Sequence, residues 1–183
     1  MGKIIMFFET EHLILRKFQE DDFDDFCEYA MDDEMSRMTV RNLLHSIEDA
    51  RWNFDWLKDK EDRCYGLVYM DTGRIIGNLT VCDVPKEILE LEKLKGKTGK
   101  SISYSISRKY QRKGLMFEAA SAVIRQLFYV EGIDYIHWGH FSFNTSSEML
   151  QKKLGFEYLT TMSYYDEGKE IVVIHRIIFN HNK

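Results

Sequence analysis

With 183 residues, 44% of them apolar and 14% aromatic, the chain has the size of one ordinary domain and enough apolar side chains to fill a core. One proline, Pro85, argues against disordered linkers, and a formal net charge of −5 offers no global basic field. Nucleic acid and anionic membrane are therefore not expected as partners.

In chain order, the N-terminal apolar run Ile4 to Phe8 is far shorter than a signal-peptide core. Gly2 is followed by Met6, where a myristoylation signal wants Ser or Thr. No stretch approaches the roughly 20 apolar residues of a membrane span, so a soluble, cytoplasmic protein is expected. Leu13 to Arg16 predict a first strand. The acids after Gln19 suit the positive end of a helix starting at Asp21 or Asp22, with Phe23, Phe26 and Ala30 on one face. Ser46 and Asp49 form a capping-box pattern, after which Ile47, Ala50, Phe54 and Leu57 repeat at helical spacing. Lys58 and Lys60 fall near that helix's C-terminal end.

Cys64 to Met70 and Arg74 to Cys82 then read as an antiparallel hairpin around Asp71-Thr72-Gly73. Cys64 and Cys82 fall almost opposite each other on it, which would allow a bridge. The alternative is that both, with Cys27, are reduced core thiols; the three have no metal-ligand spacing. Pro85 to Leu94 suggests a short helix, followed by a mobile Gly/Lys loop. Ile102, Tyr104 and Ile106 alternate with Ser101, Ser103, Ser105 and Ser107, the period of a strand. A helix follows from about Gly114, with Met116, Ala119, Ala120, Val123, Leu127 and Phe128 as its apolar stripe. Tyr135 to Phe141 is the next strand, and Asn144 opens a loop into a helix that stops at Gly155. Tyr158 to Tyr165 and Ile171 to Phe179 are the last strands, around Asp166-Glu167-Gly168. The order implies one α/β domain, residues 1–183, built on a mixed sheet.

The segment richest in chemistry is Tyr104 to Ala120. A serine-lined strand runs into Gln111-Arg112-Lys113-Gly114 and straight on into a helix. The first amides of a helix have no partners within it and carry partial positive charge, so they can seat an anion. Gly114 leaves the backbone open to close approach, and Arg112 and Lys113 add charge for a diphosphate. A solvated basic turn before a core helix is the plainer reading. Gly96-Lys97-Thr98-Gly99-Lys100-Ser101 also ends like a nucleotide-binding P-loop. That motif needs glycine where Leu94 stands, and a helix where a strand follows, so a mobile basic loop near a ligand's phosphates is expected instead.

Gln111-x-x-Gly114-x-Met116 resembles the coenzyme A signature Q/R-x-x-G-x-G/A of the GNAT (GCN5-related N-acetyltransferase) family, with Met116 in place of a small residue. Met116 must turn onto the core or crowd the pyrophosphate. Thirty residues on, Asn144 to Phe156 resembles the family's N-x-A-S-x-x-x-x-x-K-x-G-F stretch: Asn144, Ser147, Lys153, Gly155 and Phe156 match, and Ser146 replaces Ala. Glu9 to Arg16 looks like the T-E-R-L-x-L-R opening of the ribosomal-protein-alanine N-acetyltransferase (RimJ/RimL-type) branch. The similarity covers all but roughly Val84 to Lys100.

The resemblance implies a mostly antiparallel mixed sheet flanked by helices, with the strands Ser101 to Ser107 and Tyr135 to Phe141 splayed apart. It implies acetyl-coenzyme A as co-substrate, no metal, direct transfer to an amine, and, as in similar proteins, a homodimer. Carried over by position, the coenzyme-binding residues are Ile106, Ser107, Gln111, Arg112, Lys113, Gly114, Leu115, Met116, Asn144, Ser147 and Lys153. Asn144 is either a hydrogen-bond partner of the pantetheine or a helix cap. Ser147 is either the general acid for the sulfur or an N-terminal helix hydroxyl satisfied by backbone. A strand amide within Ile102 to Ser105 would donate to the oxyanion. Related enzymes often carry a base as Glu in the strand before the turn. Here Ser101 stands in that place, and Glu9, Glu11, His137, His140 and Tyr164 are candidates by chemistry alone. Eleven acids between Glu9 and Glu34 suggest either a cationic acceptor (a protein N-terminus, a polyamine, an aminoglycoside) or a solvated helix face. A non-catalytic acyl-coenzyme A sensor or scaffold is the alternative function.

Overall fold

The computed structural model describes residues 8–38, 44, 46–59, 63–166 and 168–181. Gly2, Met6, most of the Ile4 to Phe8 run, Lys60 and the Glu167 turn residue lie outside the described residues. The fold is α/β, with eight strands of mixed direction among the described residues and flanking helices. It divides into two compact units: residues 1–80 with 104–122, and residues 81–103 with 123–183.

In the first unit, β1 (Phe8–Glu9) and β2 (Leu13–Arg16) pair antiparallel, and β2 pairs antiparallel with β3 (Arg63–Tyr69). β3 turns into β4 (Arg74–Cys82) through Gly73, whose φ of +69° suits a glycine and whose amide donates to the Tyr69 carbonyl at 2.8 Å. Helix α1 (Phe23–Ala30) is preceded by a 3-10 turn at Glu20–Asp22, and a short α2 (Asp33–Arg37) follows. The Ser46/Asp49 box caps α3 (Ile47–Asp59) reciprocally, at 3.0 and 3.2 Å. Phe26, Phe54 and Leu57 are buried in one cluster with Phe18, Cys64 and Ile75, the aromatic rings meeting edge-on or tilted. Ile47 does not join them. It sits at the first turn of α3 and is 51% exposed, so the apolar repeat starts at Ala50.

The second unit carries the start of β5 (Gly99–Ile106), β6 (Tyr135–Phe141), β7 (Glu157–Asp166) and β8 (Lys169–Phe179). β8 pairs antiparallel with both β6 and β7. Gly155 ends α6 (Thr145–Lys153) at φ +88°. The Pro85 to Leu94 helix is two pieces, α4 (Lys86–Leu89) and a 3-10 turn at Glu92–Leu94. They bury Ile88 and Leu94 beside Tyr135, Leu159 and Ile177. Helix α5 (Leu115–Arg125) ends in a π-helical turn, Gln126–Val130, that keeps Leu127 and Phe128 buried but leaves Tyr129 and Val130 exposed. None of the three cysteines is in a disulfide, and the Cys64 sulfur accepts from the Thr80 hydroxyl at 3.2 Å. Among the described residues no helix is long and apolar enough to cross a membrane.

Candidate functional site

The turn after β5 lies wholly in the first unit. Ile106 and Ser107 are buried, and the Ser107 amide donates to the Ile76 carbonyl at 2.8 Å, which ends the strand against β4. Arg108–Tyr110 make one 3-10 turn. The Gln111 side chain then folds back, its Nε2 donating to the Ile106 carbonyl at 3.2 Å and lying 3.2 Å from Met35 Sδ. Arg112 (φ +61°) and Gly114 (φ +83°) both take left-handed conformations on either side of Lys113. Among the described residues Arg112 is the one non-glycine that does so, and alternating backbone signs of this kind turn successive amides towards one point.

Helix α5 opens there. Its first internal bond runs from the Glu118 amide to the Gly114 carbonyl at 3.0 Å, so by helical geometry the earlier amides have no acceptor within the helix. A Cβ added at Gly114 would meet nothing within 4 Å, so this glycine answers to its φ, and the space above it is open. Arg112 and Lys113 are exposed, with the Lys113 ammonium 5.1 Å from the Tyr110 ring centroid. Leu115 and Met116 are buried, 4% and 6% exposed. Met116 therefore turns onto the core and does not crowd the turn. The residues present fit a diphosphate: open backbone, oriented amides and two exposed cations.

The acidic stretch is tied up in ion pairs. Glu20 meets Arg51 and Lys58, Asp22 meets Arg16, and Asp25 and Glu28 share Arg74. Glu28 also meets Lys109, while Asp32 and Glu34 grip Arg108. Lys109 and Arg74 hold the Glu28 carboxyl below the usual range. Among the described residues six of the eleven acids thus pair with basic residues, two of which, Arg108 and Lys109, lie just ahead of the turn. Sequence reading missed this because it fixes charge but not partner. It also missed Glu118, the one acid of α5, whose oxygens take the His12 amide at 2.8 Å and the His12 ring Nδ1 at 2.9 Å. That clamp fastens the start of β2 to the first turn of α5. The hydrogen bond to Glu118 raises the His12 pKa.

In the second unit, β5 and β6 pair in parallel at Gly99↔Tyr135, Lys100↔Ile136 and Ser101↔His137. There the register stops, although β6 continues to Phe141. Ile102 and Ser103 have no register partner on β6. Asn144 caps α6, its Oδ1 accepting from the Ser147 amide at 3.0 Å. Ser147 is buried and its Oγ accepts from Gln151 Nε2 at 3.1 Å, a side-chain partner where backbone was one expectation. Lys153 is exposed in the last turn. The P-loop-like segment feeds strand β5, and it is tied down: Asp134 Oδ2 accepts from the Thr98 amide at 2.7 Å and its hydroxyl at 2.8 Å. Lys100 pairs with Asp83 at 2.6 Å.

None of the candidate bases stands out. Glu9 and Glu11 are exposed, and burial chiefly, with Asp166, raises the Tyr164 phenol. His137 is 2% exposed, with Nδ1 2.8 Å from Ser101 Oγ and Nε2 2.9 Å from His175 Nδ1. Burial, helped by His175, pushes its pKa down to about 3, so at neutral pH it has no tendency to take a proton. Burial also lowers His140. Among the described residues no group of three His, Cys, Asp or Glu side chains is placed to hold a metal ion.

Comparison with family models matches residues 12–157, most of the chain, to the acetyltransferase (GNAT) domain. Comparison with curated proteins gives no match. Among solved structures, the chain is similar to an acetyltransferase of the GNAT family from Bacillus anthracis, at 19% identity and TM-score 0.82, covering 97% of this chain and 100% of that one. It is similar to the ribosomal-protein-S5-alanine acetyltransferase from Vibrio fischeri at 18% identity and TM-score 0.74, covering 97% and 98%. A GCN5-related N-acetyltransferase from Brucella melitensis superposes with TM-score 0.80 at 12% identity, covering 96% and 79%. At these identities the structural likeness speaks for the fold.

Proposed function

The chain belongs to the GNAT acetyltransferase family, and we propose that it moves an acetyl group from acetyl-coenzyme A to a primary amine within a ternary complex. The whole of 1–183 would serve as one cytoplasmic N-acetyltransferase domain. The observation that carries this reading is the turn at Gln111–Gly114. It opens α5 with two left-handed residues and an uncrowded glycine, and Met116 is packed inward.

Each residue then has a job. The amides from Gly114 to Met116, with Arg112 and Lys113, seat the diphosphate, while Gln111, Ile106 and Ser107 shape the turn. Asn144, Ser147 and Lys153 are assigned to the coenzyme by the motif they share with the family. The end of β5–β6 pairing at Ser101 supports an arm that bonds to strand backbone, and a β5 amide within Ile102 to Ser105 is the natural oxyanion donor. The acceptor's neutral nitrogen adds to the thioester carbonyl, the C–S bond breaks, Ser147 protonates the departing sulfur as general acid, and the proton shed by the acetylated nitrogen returns to Ser147 through water, giving amide and free thiol. The acceptor classes are a protein N-terminus, a polyamine or an aminoglycoside. Because six of its eleven acids pair with the chain's own basic residues, the acidic stretch favours none of these classes.

A second reading, a non-catalytic acyl-coenzyme A sensor, draws on β5, Gly99–Ile106, which carries no carboxylate. Thiol release from acetyl-coenzyme A over a panel of amines, run beside calorimetry with coenzyme A, separates the two. Turnover with any amine supports transfer, and binding without turnover supports the sensor. No binding at all would end both.

A further inference from the structure

Three buried polar side chains in the second unit form a line that no backbone ladder uses. Ser147, Gln151 and His140 are 4%, 0% and 6% exposed. Gln151 Nε2 donates to Ser147 Oγ at 3.1 Å, and Gln151 Oε1 lies 2.9 Å from His140 Nδ1. A carboxamide oxygen has no hydrogen to give, so the hydrogen of the second bond belongs to Nδ1. His140 is thereby fixed as the Nδ1–H tautomer, and burial favours its neutral form. Its Nε2 is buried without a hydrogen-bond partner among the described residues. That agrees with a lone pair at Nε2, since an unfilled acceptor is tolerated inside proteins more readily than an unfilled donor.

The direction carries through to the serine. Gln151 fills one acceptor site of Ser147 Oγ, and Asn144 Oδ1 holds the Ser147 amide at 3.0 Å. Both the backbone of Ser147 and one side of its oxygen are therefore set, and the hydroxyl hydrogen must point away from Gln151. We propose that Gln151, oriented by His140, is a positioning residue that fixes the Ser147 hydroxyl as a hydrogen-bond donor to the leaving sulfur. This rests on the reading of Ser147 given above.

The test reverses the bond. In Gln151→Glu a carboxylate accepts at both ends, so the Ser147 hydroxyl turns inward to it. In Gln151→Met, which buries no charge, the hydroxyl rotates freely. With acetyl-coenzyme A and the best amine of the panel, kcat falls about 100-fold in Gln151→Glu and Ser147→Ala and about 10-fold in Gln151→Met, with KM for acetyl-coenzyme A nearly unchanged. Combining Ser147→Ala with Gln151→Glu gives no further loss. Wild-type kcat in both Gln151 variants overturns the proposal. Independently of turnover, nitrogen NMR of the wild-type imidazoles finds His140 as the Nδ1–H tautomer, and the Nε2–H form would overturn it. Should the wild-type protein turn over no amine, acetyl transfer itself fails and the role of Gln151 fails with it. The tautomer then tells that failure from a wrong bond direction.

Discussion

Gln111–Met116 and Gly96–Ser101 are both short, basic and glycine-bearing, and both hold a glycine at positive φ, +83° at Gly114 and +72° at Gly96. The first opens helix α5, whose first amides have no acceptor within the helix. The second opens strand β5. There the Thr98 amide is claimed by Asp134, and the chain goes on into a parallel register with β6. Composition does not make a phosphate seat. What the next element does with its backbone amides makes one.

The largest effect should come from breaking the first segment. Gly114→Glu should weaken coenzyme A binding at least about 100-fold, because like charges brought together at a binding site cost several kcal/mol. It should also lower stability by about 1–2 kcal/mol, since an L-residue is strained at φ +83°. Calorimetry and denaturant unfolding read the two parts separately, and an unchanged affinity would remove the anion seat.

The second segment leads into Ser101 and its bond to His137, and its largest signature is in acid. His137 has an ordinary pKa of 6.5, lowered in the fold to about 3 by burial first and His175 second. The unfolded chain therefore takes up a proton that the folded one refuses. The associated stability is fully present above about pH 6.5 and lost as pH falls towards 3, at about 1.4 kcal/mol per pH unit. His137→Gln should flatten the stability profile between pH 6 and 4. His140 and His175, also lowered, keep part of the slope. An identical slope in the variant would deny that His137 is neutral and buried.

Smaller effects sharpen the contrast. A Cβ at Gly99 would lie 2.2 Å from the Tyr135 ring, so Gly99→Ala should cost about 2 kcal/mol by overpacking, seen in urea unfolding. Gly96→Glu meets open space and should cost about 1 kcal/mol for its φ alone, leaving coenzyme A affinity at the wild-type level. If it weakened binding as Gly114→Glu does, the two segments would not differ as described. The smallest change is expected from His12→Ala. The pKa of His12 is raised by Glu118, so its contribution is complete below pH 6.5 and disappears as pH rises through the folded value. Thermal midpoints of wild type and variant should differ at pH 6 and converge at pH 9.

Much of the fold was legible in the residues. Strand period, the Ser46/Asp49 box, the Asp71-Thr72-Gly73 turn and the Gly155 stop are local signals, and each reappears in place. So is the turn itself, because a glycine before an apolar stripe is written within one window. What was not legible depends on partners distant in sequence. Arg108 finds Asp32 across 76 positions, and His12 finds Glu118 across 106. Whether Ile47 is inside or outside turns on which helix face meets the core.

Residue order alone settled the helix-opening glycine and most of the element sequence, β1 and α2 excepted, since periodicity and caps are properties of neighbours along the chain, and the family entered through motifs that resemble it. Tertiary structure alone decided that Met116 points inward, that β5 leaves its partner after Ser101, and that Gln151 stands between His140 and Ser147. Those outcomes are set by side-chain packing and hydrogen bonds between segments, and a linear sequence names the groups without saying which of them meet.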